Sequence, residues 1–514
     1  MTHKNKMIKA TLSAAVLMAP IANAGTDIWF TPLTQSAPVV APNALEELSS
    51  PWVAPAGITQ KNWVSLREVE DAVLSPGQST VRVPGASTSA SMFDMLAYNP
   101  TGTHLFIPHE TPIGAGCTRY DIDKNRAEVI FAGDQKGGLS VPDWSADFGA
   151  FDPCRWTPNN TLFLAEEWSG QGRVIEILNP MDDVGSITSR ELNSIANVSH
   201  EGINFSLRYR NTIYFIDEYN SGSIYKFVMK TMGDYTVGQT FVLSVDAFGA
   251  SGGLAANNYN EGPNATAARV GAATWKPLTD ALGVPLPGVT DPFRNGSTGA
   301  DPRTSPTTVV GGRKAADDVG GTPYGRPEDA TVSKLANGNE VIYFAATSEN
   351  SVYSIEILTP GTSRTPGTAI VRKFVDNSSP KNLGYPTTTG TLNSPDNLAM
   401  DSVGNIYVIE DAPNGGSTGG DIWFVRDIDN DGVAESLDHF LSVRVNGCEA
   451  TGMIFNPVIP TEFAVCVMHP SSTDLVTVPS GLGDAVWSFD LSGIPNTDHV
   501  KALKRGRCRK FTNQ

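Results

Sequence analysis

Apolar and polar positions alternate in short runs along most of this chain, and one pattern recurs. An apolar-aromatic run ends in acidic or small polar residues. A turn rich in Gly, Ser and Asn follows, and a second apolar run opens on Ile or Val before an aromatic. It reads LFLAEEWSGQGRVIEI from Leu162, IYFIDEYNSGSIYKF from Ile213, IYFAATSENSVYSIEI from Ile342 and IYVIEDAPNGGSTGGDIWFV from Ile406. A weaker version starts at His104, and a last one runs from Phe463 to AVWSFDL. Period-2 alternation broken by turn residues predicts a β-hairpin at each place. Hairpins repeated at intervals of tens of residues predict the blades of a β-propeller, about six of them, in an all-β chain. A β-sandwich needs fewer such hairpins. The near absence of long helical periods argues against a doubly wound α/β fold.

Two stretches interrupt the repeat. Residues 25–85 are Pro-rich and read as an N-terminal extension wrapping the outside. Residues from about 231 to 321 are rich in Gly, Asn, Thr and Pro and read as a long, irregular inter-blade insertion. The propeller domain then spans 86–514. Residues 1–24 read as a signal peptide: Lys4, Lys6 and Lys9, an apolar run from Ala10 to Ile21, and a small-x-small site at Ala22-Asn23-Ala24. The run is too short to span a bilayer. The expected location is therefore periplasmic or secreted.

Charge narrows the partners. The 514 residues carry a net charge of −17, which disfavours nucleic acid. The five cysteines, Cys117, Cys154, Cys448, Cys466 and Cys508, are odd in number and show no CxxC zinc pattern. Cys448 and Cys466 flank a hairpin and could face each other.

Propeller loops converge on a central channel, so acids beside rigid residues are the candidates for chemistry. Five segments qualify: Asp152-Pro-Cys154 leading to Glu166-Glu167, His200-Glu201-Gly202, Arg326-Pro-Glu328-Asp329, Ser394-Pro-Asp396-Asn397, and Cys448-Glu449-Ala-Thr451-Gly452 followed by His469-Pro470. Carboxylates brought together repel unless a cation or proton compensates. Oxygen-rich clusters suit Ca²⁺, Mg²⁺ or Fe³⁺, and a thiolate among them would favour a transition metal. Asp427-Ile-Asp429-Asn-Asp431-Gly432, ending at Asp438, matches either a peripheral calcium loop or a bare tight turn.

In their fixed order these segments resemble the PhoX-type alkaline phosphatases over most of the chain after about Met92. The resemblance implies a propeller that hydrolyses small phosphate monoesters outside the cytoplasm through a cluster of Ca²⁺ and Fe³⁺. Carried over by residue, Cys154, Glu167, Glu201, Glu328 and Glu449 would be metal ligands, and Arg326 would grip the phosphate. Arg326, Glu328 and Glu449 are the expected catalytic set. Asp396 joins the expected ligands, as does Asp152, for whose place Asp147 competes. The chain departs from the family in lacking a twin-arginine signal and in having only Arg155-Trp156 where a Gly-rich stretch is usual. The rival readings are a calcium-dependent lactonase-type hydrolase and a non-catalytic secreted calcium-binding propeller. A monomer is expected, with no nucleic-acid partner.

Overall fold

The computed structural model describes residues 28–39, 49–72, 92–168, 172–293, 311–361, 365–413, 415–471 and 481–506. The signal-peptide residues and Cys508 lie outside them. All six expected hairpins form. Leu162–Glu166 pairs with Val174–Ile177, Thr212–Asp217 with Ile224–Met229, and Glu340–Ala346 with Ser351–Thr359. Ile406–Glu410 pairs with Asp421–Arg426, His104–Pro108 with Gly116–Asp121, and Glu462–Met468 with Ala485–Asp490. All these pairings are antiparallel, and the aromatic and β-branched residues of these strands are almost all buried. They pack from sheet to sheet, as where Phe163 meets Phe205 and Tyr235.

The chain is all-β and propeller-like, but the expected six separate blades are not six separate sheets. Among the described residues four sheets stand alone. A nine-stranded sheet runs from His200–Phe205 to Pro327–Lys334 and incorporates Gly271–Pro277 between its two halves. Its two edge strands come back beside each other, where Asn204 Nδ2 donates to the Ala330 carbonyl at 2.6 Å.

Two sequence readings are corrected here. The stretch 231–321 is not irregular throughout. It holds the strands Gly238–Val245 and Gly271–Pro277 and the helix Gly311–Val319. The N-terminal extension does more than wrap the outside. Trp52–Val53 and Thr59–Ser65 become the outer strands of the last two sheets, the latter pairing with Ala485–Asp490 more than 400 residues on. Both segments were too Pro- and Gly-rich to announce strands, and neighbouring strands supply the hydrogen bonds that local propensity does not.

Candidate metal centre

Each sheet offers an inner strand to the axis, and each inner strand carries the same defect. Phe151 pairs with Glu166 and Cys154 with Leu164, so one extra residue lies on the inner side. The same slip separates His200 from Ile203, Pro327 from Ala330, Pro395 from Leu398 and Thr451 from Ile454. A matching slip follows the Phe93–His109 bridge. A β-bulge re-aims side chains and bends the strand. The first residue of the bulge is Asp94, Asp152, Glu201, Glu328 or Asp396, and in the last sheet Gly452. Gly452 has φ +64°, and a Cβ there would lie 2.7 Å from the Asp94 carbonyl oxygen. That sheet contributes Glu449 instead, three residues earlier.

The acids at the tips of the hairpins work in pairs. In Glu166-Glu167, Asp217-Glu218 and Glu410-Asp411 the first acid is buried and clamps the loop leading to the inner strand. Glu166 accepts from Gly149 N at 3.2 Å and from Arg173 Nε and Nη2 at 2.6 Å each. Asp217 accepts from Ser199 N at 3.1 Å and from Arg313 Nε at 2.7 Å. Glu410 accepts from Asn393 N and Trp423 Nε1, both at 2.8 Å. The second acid of two of these pairs is drawn into the same electrostatic field: Glu218 acts on Glu167, and Asp411 on Glu449. Glu110, after His109, occupies the matching place in the first sheet.

Around the axis two groups of ligand oxygens each lie within 4.8 Å of one another: Asp152, Glu167 and Glu201, and Glu201, Glu328 and Asp396. Glu201 belongs to both. Asp94, Asp152, Glu201, Glu328 and Asp396 are buried, whereas Glu110, Glu167, Asp411 and Glu449 are partly exposed. Burial and then the neighbouring carboxylates push Asp152, Glu167, Glu201, Asp396 and Glu449 well above the usual carboxylate range. Burial does the same to Glu328, where Glu218 adds to it and Arg326 opposes it. Burial raises Asp94 to about 7, and burial with Asp94 nearby raises Glu110 to about 8. Asp152 Oδ1 is buried with no hydrogen-bond donor. Protons or cations must offset such a site, and the donor set of carboxylate oxygens fits hard cations.

Arg326 stands at this cluster. Its Nε donates to Glu218 Oε1, and its Nη2 lies 3.3 Å from Glu328 Oε1. Its side chain is 40% exposed, so part of the guanidinium faces solvent. Arg326 adopts φ +48°, a left-handed conformation repeated at Ala150 and Ser394 in the matching loops. Strain of this kind persists where the surroundings over-determine it. His469 accompanies Glu449, with Nε2 3.3 Å from Glu449 Oε2 and Nδ1 2.8 Å from the Gly447 carbonyl.

Comparison with known proteins adds the decisive observation: the family model for the alkaline phosphatase PhoX matches residues 128–471. The chain belongs to the PhoX alkaline phosphatases. It is therefore a phosphoric monoester hydrolase of a metal-dependent family whose members are secreted or periplasmic. Among solved structures it is similar to Pseudomonas fluorescens PhoX in complex with vanadate, a transition-state analogue. Identity is 14%, the match covers 90% of this chain and 99% of that one, and the TM-score is 0.57. A gluconolactonase of Xanthomonas campestris shares 10% identity, covering 91% of this chain and 99% of that one at a TM-score of 0.39. No curated protein sequence matches. Among the described residues no helix is long and apolar enough to cross a membrane.

For a PhoX member, the expected site residues fall into two classes. Glu167, Glu201, Glu328, Asp396, Glu449 and Asp152 come together around the axis. Asp147 does not: its carboxylate accepts backbone N–H groups of Gly114, Gly137 and Phe148 and shapes a loop. Cys154 is not brought to the carboxylates either. The bulge spends Asp152 on the axis, and Cys154, back in register with Leu164, packs with Phe106, Phe151 and Leu162 beside Cys117. Burial, with Cys117 adjacent, pushes its thiol up. None of Cys117, Cys154, Cys448 and Cys466 is in a disulfide, so Cys448 and Cys466 are not bridged. In the acidic turn Asp427 accepts from Asp431 N and Gly432 N, and Asp438, the twelfth position of the expected calcium loop, is committed to Arg426 at 2.9 Å, while Asp427, Asp429 and Glu435 bring ligand oxygens within 4.8 Å of one another.

Sequence reading missed Asp94, Glu110, Glu218 and Asp411. Glu218 and Asp411 carried a signal, since each ends its hairpin strand as the second of two acids, as Glu167 does. Asp94 and Glu110 had none beyond the weak hairpin at His104.

Proposed function

We propose that this phosphatase works through a cluster of hard cations, Ca²⁺ foremost and Fe³⁺ beside it, held by Asp152, Glu167, Glu201, Glu328, Asp396 and Glu449. Asp94, Glu110, Glu218 and Asp411 complete the acidic ring. The observation that carries the reading is the convergence of bulge and hairpin-tip acids from separate sheets into one carboxylate cluster beside Arg326. Bound cations would offset the charge of a phosphate dianion and of the transition state, and would lower the pKa of bound water. The chain's own residues do the rest. The carboxylates fix where the positive charge sits, and Arg326 offers a forked donor to phosphate oxygens. Nothing in this scheme requires a nucleophilic side chain. The nine-stranded sheet counts as two blades bridged by Gly271–Pro277, giving six in all. The enzyme acts on small phosphate esters outside the cytoplasm, as a monomer.

The test is hydrolysis of a generic aryl phosphate by purified protein, with and without chelation and added calcium, beside elemental analysis. Activity that is lost on chelation and returns with calcium supports the reading, as do several equivalents of bound metal. Full activity after complete metal removal would sink it. Two variants sharpen the assignment. Asp152→Asn should lose most metal and activity, while Cys154→Ser, in an apolar pocket, should keep both within about twofold. Loss of metal from Cys154→Ser alone would restore the thiol as a ligand. Arg326→Lys keeps a charge but loses the planar fork, so kcat/KM should fall by about 10²-fold with metal content unchanged.

A further inference from the structure

The helix Gly311–Val319 reaches the site through one side chain. Arg313 is 1% exposed, in a segment whose sequence showed no regular pattern. Its Nε and Nη2 both donate to the Asp217 carboxylate, and its guanidinium lies over the Tyr219 ring, 4.0 Å from the centroid. Arg313 therefore grips the residues on either side of Glu218, whose own carboxylate receives Arg326 Nε. The start of the helix is seated tightly. Gly312 N donates to the Asn197 carbonyl at 2.8 Å, and a Cβ at Gly312 would lie 2.6 Å from Val198 Cγ1.

The other hairpin-tip acids are clamped locally. Arg173 lies seven residues from Glu166, and Trp423 thirteen from Glu410. Arg313 comes from 96 residues beyond Asp217. The acid next to the one it holds, Glu218, is the one that anchors Arg326.

We propose that Arg313 is a positioning residue for phosphate-ester binding: it fixes Asp217 and Tyr219, hence Glu218 between them, hence the guanidinium of Arg326. The proposal rests on the reading of Arg326 as the phosphate-gripping group. A long, part-exposed arginine loses rotamer freedom on binding unless it is already held, and Glu218 holds it. Glu218 also stands beside Glu167.

The experiment uses the metal-loaded full chain and compares Arg326→Lys, Arg313→Lys, Tyr219→Leu and the Arg313→Lys/Arg326→Lys double variant. It measures aryl phosphate hydrolysis, competitive inhibition by inorganic phosphate, and metal content. Arg326→Lys should raise the phosphate inhibition constant about tenfold, and Arg313→Lys and Tyr219→Leu about three- to tenfold, mostly through KM and with metal content unchanged. The double variant should be no worse than Arg326→Lys alone, because both changes act through one guanidinium.

A raised constant in Arg326→Lys with no change in Arg313→Lys and Tyr219→Leu overturns the positioning role and leaves the Arg326 reading standing. An unchanged constant in Arg326→Lys overturns that reading and this inference with it. Additive effects in the double variant, or metal lost in step with activity, also overturn it. Tyr219→Leu leaves the buried Arg313–Asp217 pair intact, so it carries the test alone if Arg313→Lys does not fold.

Discussion

Glu201→Gln should abolish phosphatase activity, lowering kcat/KM by about 10³-fold or more, because it removes a carboxylate common to both groups of ligand oxygens. Glu328 and Glu449 should be jointly required with it, but each of the other acids in the two groups serves only one group. Gln preserves shape and one acceptor, so the change isolates the charge. Cations sharing Glu201 would lose affinity together, so elemental analysis should show metal falling with activity rather than after it. The metal-free protein should respond in the opposite direction. Without cations the ionised carboxylates only repel, so at pH 8 metal-free Glu201→Gln should melt at a higher temperature than metal-free wild type. Near-normal metal and turnover in Glu201→Gln would mean that the acidic ring is not the catalytic centre. Equal melting of the two metal-free proteins at pH 8 would mean that its carboxylates do not repel as their burial requires.

The second large effect is the pH dependence of the metal-free protein. Burial raises Asp94 from 3.8 to about 7, and burial with Asp94 nearby raises Glu110 from 4.5 to about 8. A raised folded-state pKa means that the folded state binds more protons than the unfolded chain between those values. The stabilisation is complete below about pH 4 and is lost as pH rises through 7 to 8. For Asp94 alone the difference is of the order of 4 kcal/mol, at about 1.4 kcal/mol per unit. After chelation the melting temperature should therefore fall from pH 5 to pH 9. Bound cations substitute for the protons, so the loaded protein should hold its melting temperature over the same range and release protons as it takes up metal. At each site, metal at a thousand times its Kd adds about 4 kcal/mol. A chelated protein whose stability rises from pH 5 to pH 9 would contradict this account.

The hairpins were legible because alternation and turn residues act locally. Ile213–Tyr225 or Ile406–Phe424 announces two strands and a turn without reference to the rest of the chain. The acids worth watching were legible for a related reason: each stands within two residues of Pro, Gly or a second acid at a strand end. The carried-over resemblance was less dependable where it depended on counting. Cys154 and Asp152 are two residues apart, and a bulge decides which of them faces the axis. Nothing in FDPCRW states where the extra residue falls, since register is set by the partner strand.

By itself, then, the sequence determined the all-β class, the repeated hairpins, the acidic charge and the segments from which ligands come, because each of these depends on neighbours within a few residues. Only the tertiary structure decided which acid of each doublet clamps a loop and which joins the carboxylate cluster. It likewise decided that Asp94 and Glu110 belong to the ring, that Cys154 does not, and that a helix in a featureless stretch holds Asp217. Those outcomes depend on strand register and on contacts spanning from tens to hundreds of residues, such as Thr451 Oγ1 donating to Asp94 Oδ1 across 357 positions. A buried carboxylate takes its role from the donors and charges that folding places around it, and no local pattern encodes those.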